Sequence, residues 1–106
     1  MGSVFFLNMC RCENLSWTLG ALKMQFNCSL IGTTPRGGET SMKKFLDQHK
    51  DVSTHILLFG SEAHGLSTEI LQNCDLTYTI PMNAGIDSIN VANALAITLY
   101  EATRQE

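Results

Sequence analysis

The segment 76–104 constrains the fold most, because a strand, a small polar loop and a long helix follow one another directly. Residues 76–80 interleave Thr and Tyr with apolar residues, a pattern typical of a strand. Pro81 has no N–H to donate and ends the strand pairing there. Asp87 or Ser88 then caps the helix. In α/β folds ligands bind at such places, because free N–H groups and the helix dipole meet there.

The helix of this segment is apolar around almost its whole circumference. A helix that is apolar on all sides is buried on more than one side. In so small a chain one side can pack on a sheet. We expect the other side to pack on a second copy of the chain, which makes a homodimer through the C-terminal helix. One face carries Val91, Ala94, Leu95, Thr98, Leu99 and Ala102, and Ile89, Ala92, Ala96, Ile97 and Tyr100 cover most of the rest.

Three further strands and three further helices are predicted before this segment. The strands are short apolar runs, typical of strands that are covered on both faces. The helices have apolar residues at helical spacing, and each begins at a serine. The alternation predicts an α/β fold with a parallel sheet and crossover helices. The predicted strands are 4–9, 28–31 and 55–59, and the predicted helices are 16–26, 41–48 and 67–73.

The strands of such a sheet all end at one edge, because the crossovers are right-handed. The loops after the last three strands are small and polar, and they contain Thr33, Gly60 and Met82. This edge is the usual ligand crevice of an open parallel sheet. We therefore expect a functional site at this edge.

Length and charge limit the possible partners. A chain of 106 residues holds one domain, and its net charge of −3 gives no global field that would hold nucleic acid. An RNA partner would depend on a local group of cations, Arg36, Lys43 and Lys44, for which solvated surface is the alternative.

The sequence also indicates where such a protein would act. No segment has the roughly 18 consecutive apolar residues of a membrane span. Residues 1–8 are too short for a secretory signal peptide. We expect a protein of the cytoplasm or of an organelle such as the mitochondrion or plastid, not a secreted one.

Two places carry candidate functional side chains. In the loop 60–65, G-S-E-A-H-G, two glycines allow a ligand close to the backbone, and Glu62 could orient a partner. The alternative is a plain strand-to-helix turn with a charge that the helix dipole favours. Ser88 could serve only as an N-cap, whereas Asn90, in the first turn of a buried helix, needs hydrogen-bond partners.

No metal site is expected. The four cysteines, at positions 10, 12, 28 and 74, lack zinc-ligand spacing, and we expect free thiols in a reducing compartment. The three histidines have no neighbouring acidic pair, and no nucleophile–base arrangement is recognisable.

Three segments taken together resemble a known family. They are G-S-E-A-H-G-L-S at 60–67, C-D-L-T-Y-T-I-P-M-N-A-G-I-D-S-I-N-V-A-N-A at 74–94 and L-Y-E-A-T-R-Q at 99–105. They resemble the SpoU family of RNA ribose 2′-O-methyltransferases, in the SPOUT superfamily. The resemblance implies an α/β domain with a deep trefoil knot that binds S-adenosylmethionine and methylates a ribose 2′-hydroxyl of tRNA or rRNA. It also implies a homodimer.

The resemblance assigns roles residue by residue. Gly60, Ile80 and Ile89 match positions that contact the cofactor, and Met82 and Thr33 lie beside them. The family's functional polar residues correspond to Glu62, Ser88 and Asn90. The sulfonium methyl is already electrophilic, so the protein's task is mainly positioning and deprotonation.

The chain also departs from the family pattern. Ala84 replaces the usual Gly, and Ile89 replaces the usual Leu. The family's first motif, with an Asn and the Arg thought to activate the ribose hydroxyl, has no counterpart. We therefore expect residues 1–106 to form one SpoU-like domain truncated at its N-terminus, with reduced or no activity alone. The alternatives are a non-catalytic binding or assembly module with the same fold and a different nucleotide-binding α/β protein.

Overall fold

Helices and strands alternate along the chain. The structure is a computed structural model that describes residues 10–61, 64–80 and 91–103. The predicted first strand, 4–9, lies outside these residues. The elements are α1 (Leu15–Gln25), β1 (Cys28–Thr33), α2 (Lys43–Gln48), β2 (Thr54–Leu58), α3 (Thr68–Gln72), β3 (Leu76–Tyr78) and α4 (Val91–Thr103).

The three described strands form one parallel sheet in the order β2-β1-β3. In β1, Ile31 pairs with Leu57 of β2 on one side and with Leu76 of β3 on the other. Each connection between strands that follow one another along the chain contains a helix, as parallel strands require. The predicted parallel α/β fold is thus confirmed, and the trefoil knot stays a prediction.

Alternate residues of the strands pack on opposite faces of the sheet. Leu30 and Leu58 form one core with Leu19 of α1, and the half-buried side chain of Ile70 in α3 packs against it. Ile31 and Tyr78 form the other core with α2 residues, and Ala102 of α4 packs against it. The sheet is therefore covered on both faces, which is why β1 and β2 each contain a continuous apolar run.

Two of the helices begin at a different residue from the one predicted. Asn14, not Ser16, caps α1, because its side-chain oxygen accepts a hydrogen bond from the N–H of Trp17 at 3.0 Å. α2 begins at Lys43 rather than at Ser41. The predicted cap of α3 is confirmed, since the Ser67 hydroxyl accepts a hydrogen bond from the Ile70 N–H at 3.2 Å.

α4 packs on the rest of the described chain with one face. Thr98 is fully buried, and Ala102 contacts the core beside α2. Leu95 and Leu99 remain 44% and 49% exposed, and Tyr100 is 63% exposed. Part of the apolar surface of α4 therefore faces solvent in the single chain, and the homodimer stays a prediction. Within residues 10–61, 64–80 and 91–103, no helix combines the length and hydropathy that crossing a membrane requires.

Candidate functional site

The described strands end together at one edge of the sheet, which we call the strand-end edge and define by Thr33, Leu58 and Tyr78. Thr33 pairs with Tyr78, and Gly32 pairs with Leu58. The Thr33 hydroxyl donates a hydrogen bond to the Leu58 carbonyl at 2.9 Å. The predicted convergence of strand ends is therefore confirmed for these strands.

Three of the predicted site residues lie at this edge. Thr33 is part of it, and Gly60 and Ile80 each follow a strand end by two residues, a span of about 7 Å at most. Ile80 is half-buried and packs against the core that contains Ile31 and Tyr78. The remaining predicted site residues lie outside the described part of the chain: Glu62, Met82, Ser88, Ile89 and Asn90.

The loop after β2 is a tight turn that needs both of its glycines. The Gly65 N–H donates to the Ser61 carbonyl at 2.7 Å, and the His64 N–H donates to the Ser61 hydroxyl at 3.1 Å. A side chain on Gly60 would overlap the backbone of Gly65 and Leu66, and Gly65 has φ of +66°. The turn itself thus explains the two glycines, and they are not by themselves a sign of a ligand.

The chain after β1 crosses β3, in a segment that we call the crossing turn, residues 34–38. At its start, the Thr34 N–H donates to the Tyr78 carbonyl on the β1 side of β3, at 2.9 Å. After it, Glu39 pairs with Tyr78 as a parallel bridge, and its N–H donates to the Thr77 carbonyl at 2.8 Å. Successive carbonyls of a strand point to opposite sides. The crossing turn therefore passes from one side of β3 to the other, at the strand-end edge.

The predicted group of cations lies beside this turn. Arg36 is in the crossing turn, and Lys43 and Lys44 begin α2 within five residues of Glu39. All three cations are exposed, and Lys43 also forms a 3.9 Å ion pair with Asp47 one helical turn along. The local positive charge is thus next to the strand-end edge in an acidic chain.

A second polar network lies where β3 begins, away from the strand-end edge. The Asp75 carboxylate accepts hydrogen bonds from Lys23 Nζ at 2.8 and 2.9 Å and from the Leu30 N–H at 2.7 Å. Burial raises the pKa of the neighbouring Cys74 thiol, and the Asp75 charge raises it further. A thiol held protonated in this way is a poor nucleophile. This network ties α1 to the sheet and offers no reactive group.

No metal centre forms within the described part of the chain, where no three His, Cys, Asp or Glu side chains are grouped to hold an ion. Cys10, Cys12, Cys28 and Cys74 are free thiols. Sequence reasoning did not single out Thr79 and Gly38, which lie at the crossing turn. The available signal was the pair Gly37-Gly38, which follows a proline closely and marks a turn.

The sequence matches the model of one protein family and several curated proteins. The family, described as the SpoU rRNA Methylase family, matches residues 1–100. An uncharacterized tRNA/rRNA methyltransferase of Mycoplasma genitalium, MG252, is 37% identical over 101 residues, which cover 94% of this chain and 40% of that protein. The 23S rRNA (guanosine-2′-O-)-methyltransferase RlmB of Haemophilus influenzae is 31% identical over 104 residues, with 98% and 40% covered. The chain spans about 40% of the length of these curated relatives.

Two solved structures of one protein resemble the fold. The SpoU methyltransferase AviRb from Streptomyces viridochromogenes aligns with a TM-score of 0.75 at 32% identity, over 98% of this chain and 40% of that one. AviRb in complex with the cofactor AdoMet aligns with a TM-score of 0.61 at 32% identity, over 83% of this chain and 31% of that one.

Proposed function

Because the chain belongs to the SpoU rRNA methylase family, we propose that it binds S-adenosylmethionine at the strand-end edge, as part of an RNA ribose 2′-O-methyltransferase. The observation that carries this proposal is the meeting of Thr33, Gly60 and Ile80 at one edge of a parallel sheet. Support comes also from the AdoMet complex of AviRb, whose alignment covers 83% of the chain.

The residues at the edge suit this cofactor chemically. Ile80 offers an apolar side chain to the adenine ring, and the strand ends offer backbone donors and acceptors to its polar atoms. Thr33 and Gly60 bring further backbone groups to the same edge. We propose Met82 and Ile89 as further contacts and Glu62, Ser88 and Asn90 as the functional polar residues.

The chain's own contribution to the reaction is positioning. When bound, the cofactor supplies a methyl group on a positively charged sulfur. The cofactor, held at the strand-end edge, would supply this methyl group to the ribose 2′-oxygen and leave as the neutral thioether, and a base would have to accept the proton of the 2′-hydroxyl. The loops must therefore hold the methyl group in line with that oxygen, which can account for a large part of the rate.

We infer that the other substrate is RNA, in line with the names of the relatives, which are tRNA/rRNA and 23S rRNA methyltransferases. Arg36, Lys43 and Lys44 supply positive charge beside the strand-end edge, where phosphates of a bound RNA would lie. We further propose a homodimer through the exposed apolar face of α4. The relatives named above come from bacteria, so we propose the cytoplasm rather than an organelle as the site of action.

Titration of the folded chain with S-adenosylmethionine in a calorimeter tests the cofactor proposal. We expect saturable binding, which Ile80→Ala weakens about tenfold by removing an apolar contact. Met24→Ala, a matched truncation at a side chain that is 90% exposed on α1, should bind like the wild type. No heat at millimolar cofactor would overturn the proposal and favour a non-catalytic module. Displacement of the cofactor by ATP would favour another nucleotide-binding protein.

Methyl transfer by these 106 residues alone is expected to be weak or absent, since most of each relative's length lies outside the match. Incorporation of tritiated methyl groups into bulk tRNA and rRNA measures it. Robust turnover would show that the matched segment carries the whole catalytic apparatus.

A further inference from the structure

One hydroxyl group holds both ends of the crossing turn. Thr79 Oγ1 donates a hydrogen bond to the Thr34 carbonyl at 2.9 Å and accepts one from the Gly38 N–H, also at 2.9 Å. A hydroxyl has one hydrogen to donate, and Thr79 donates it to the turn. The hydrogen bond that the hydroxyl accepts also comes from the turn. The two partners are four residues apart, at the start and the end of the turn.

The turn is packed closely against this hydroxyl. A Cβ atom on Gly38 would lie 2.8 Å from Thr79 Oγ1 and 2.9 Å from the Thr77 carbonyl oxygen. The backbone of Thr79 is engaged as well, since its N–H donates to the Glu39 carbonyl at 2.8 Å. Any side chain at position 38 would separate the turn from β3. The contact therefore depends on a glycine and a hydroxyl together.

The place of Thr79 links this contact to the site. Thr33 immediately precedes Thr34, whose carbonyl accepts the hydrogen bond from Thr79, and Ile80 immediately follows Thr79. Each of the two proposed cofactor contacts is therefore next in sequence to one partner of that hydrogen bond. A turn that is already fixed does not have to be ordered when a ligand binds, and this strengthens binding. The hydrogen bonds made by Thr79 keep the two contacts in one arrangement.

We propose that Thr79 is a positioning residue for S-adenosylmethionine, and that its hydroxyl fixes the crossing turn at the edge where the cofactor binds. This inference rests on the proposed cofactor site. It assigns a function to a side chain that contacts the turn and not the cofactor. The hydroxyl, and not the size of the side chain, carries the effect.

The test compares cofactor affinity and turn order in three variants. Thr79→Val keeps the shape and removes the hydroxyl, Thr79→Ser keeps the hydroxyl, and Thr18→Val removes a hydroxyl that bonds to the Asn14 carbonyl on α1. Calorimetry gives the Kd for S-adenosylmethionine, and amide hydrogen exchange by NMR reports the Gly38 N–H. We expect Thr79→Val to raise Kd about tenfold and to accelerate Gly38 exchange. Thr79→Ser and Thr18→Val should stay within about twofold of the wild-type Kd.

A second variant covers the case in which Thr79→Val does not fold. Gly38→Ala retains the hydroxyl and pushes the turn away from it, so it must raise Kd in the same way. The inference is overturned if wild-type Kd persists in Thr79→Val or Gly38→Ala, or if Thr79→Ser binds as weakly as Thr79→Val. A wild-type chain that does not bind the cofactor overturns the proposed function instead, and the role of Thr79 falls with it.

Discussion

At the scale of single residues, Asp75 shows how one side chain extends the sheet. Its N–H donates to the Leu30 carbonyl at 2.8 Å, and its carboxylate accepts from the Leu30 N–H at 2.7 Å. Burial alone would raise the pKa of this carboxyl, but the hydrogen bonds from Lys23 and from Leu30 outweigh burial and lower it. The charged form is therefore the one that the fold stabilises.

This lowered pKa predicts an acid dependence of stability. A carboxyl whose pKa is lower in the folded chain stabilises the fold fully above its ordinary pKa of 3.8, and that stabilisation is lost as pH falls through the lowered value. Asp75→Asn should reduce the free energy of unfolding by about 1 kcal/mol at neutral pH. It should also lose less stability than the wild type when the pH falls below 3.8.

Urea unfolding at several pH values measures both effects. The matched control is Asp47→Asn, because Asp47 makes an exposed 3.9 Å ion pair with Lys43, a kind of contact that contributes little. Equal acid sensitivity of the wild type and Asp75→Asn would contradict the prediction.

Residue roles were predictable only where local chemistry decides them. Ser67 is an N-cap by residue type and position, and the structure confirms it. Asn14 and Ser16 are both good capping residues, so residue type does not decide between them; α1 begins at Leu15, and the cap is therefore Asn14. Thr79 is an ordinary strand residue in sequence. Its hydrogen bonds come from a segment about 40 residues earlier, which local patterns do not reveal.

At the scale of elements, glycines have opposite effects in a helix and in a turn. Gly20 lies inside α1, and a Cβ there would meet no atom within 4 Å. A Cβ on Gly60 would overlap the backbone of the loop after β2. Glycine weakens a helix interior because it has the most backbone freedom to lose. The same substitution should therefore change stability in opposite directions at the two positions.

We expect Gly20→Ala to stabilise the protein by about 0.5–1 kcal/mol. Gly60→Ala should destabilise it by more than about 2 kcal/mol, since the backbone of the turn must move. Thermal unfolding of the two variants measures the difference, and each serves as the control for the other. A Gly60→Ala protein as stable as the wild type would show that the tight turn does not form as described.

Element order was predictable and element ends were not. Apolar runs and helical spacing predicted the six described elements that precede α4, in the right order. β1 continues through Gly32 and Thr33, which break the apolar run, because both pair with β3. β3 ends at Tyr78, two residues earlier than predicted, because Thr79 bonds to Glu39 instead of a neighbouring strand. Strand ends thus depend on partners that are distant in sequence.

At the scale of the whole molecule, the sheet order and the crossing turn are non-local features. A β-α alternation predicts a parallel sheet and the edge where its strands end. It does not predict that β1 lies in the middle of the described strands, or that the chain after β1 passes β3. The position of the candidate site was thus accessible from the sequence, and its detailed construction was not.

The exposed apolar face of α4 is a second whole-molecule feature. Leu95 and Leu99 are one helical turn apart, and both are about half exposed. Thr98 and Ala102, which lie beside them on the same side of the helix, are buried or packed, so the two leucines border the packed part of α4. A contiguous apolar face on a surface helix is typical of an interface, which in a stable dimer buries about 800 Å² of each partner. The proposed homodimer would cover this face.

Introducing charge on this face should dissociate the dimer. We expect the wild type to sediment as a dimer at micromolar concentration, and Leu95→Glu/Leu99→Glu to sediment as a folded monomer, because two buried carboxylates would face an apolar partner. Met24→Glu is the control: Met24 is also apolar and exposed, but it lies on α1, on the opposite face of the sheet. It should leave the wild-type dimer intact. A wild type that stays monomeric, or a double variant that stays dimeric, would mean that α4 is not the dimer interface, and the apolar face would then need another partner.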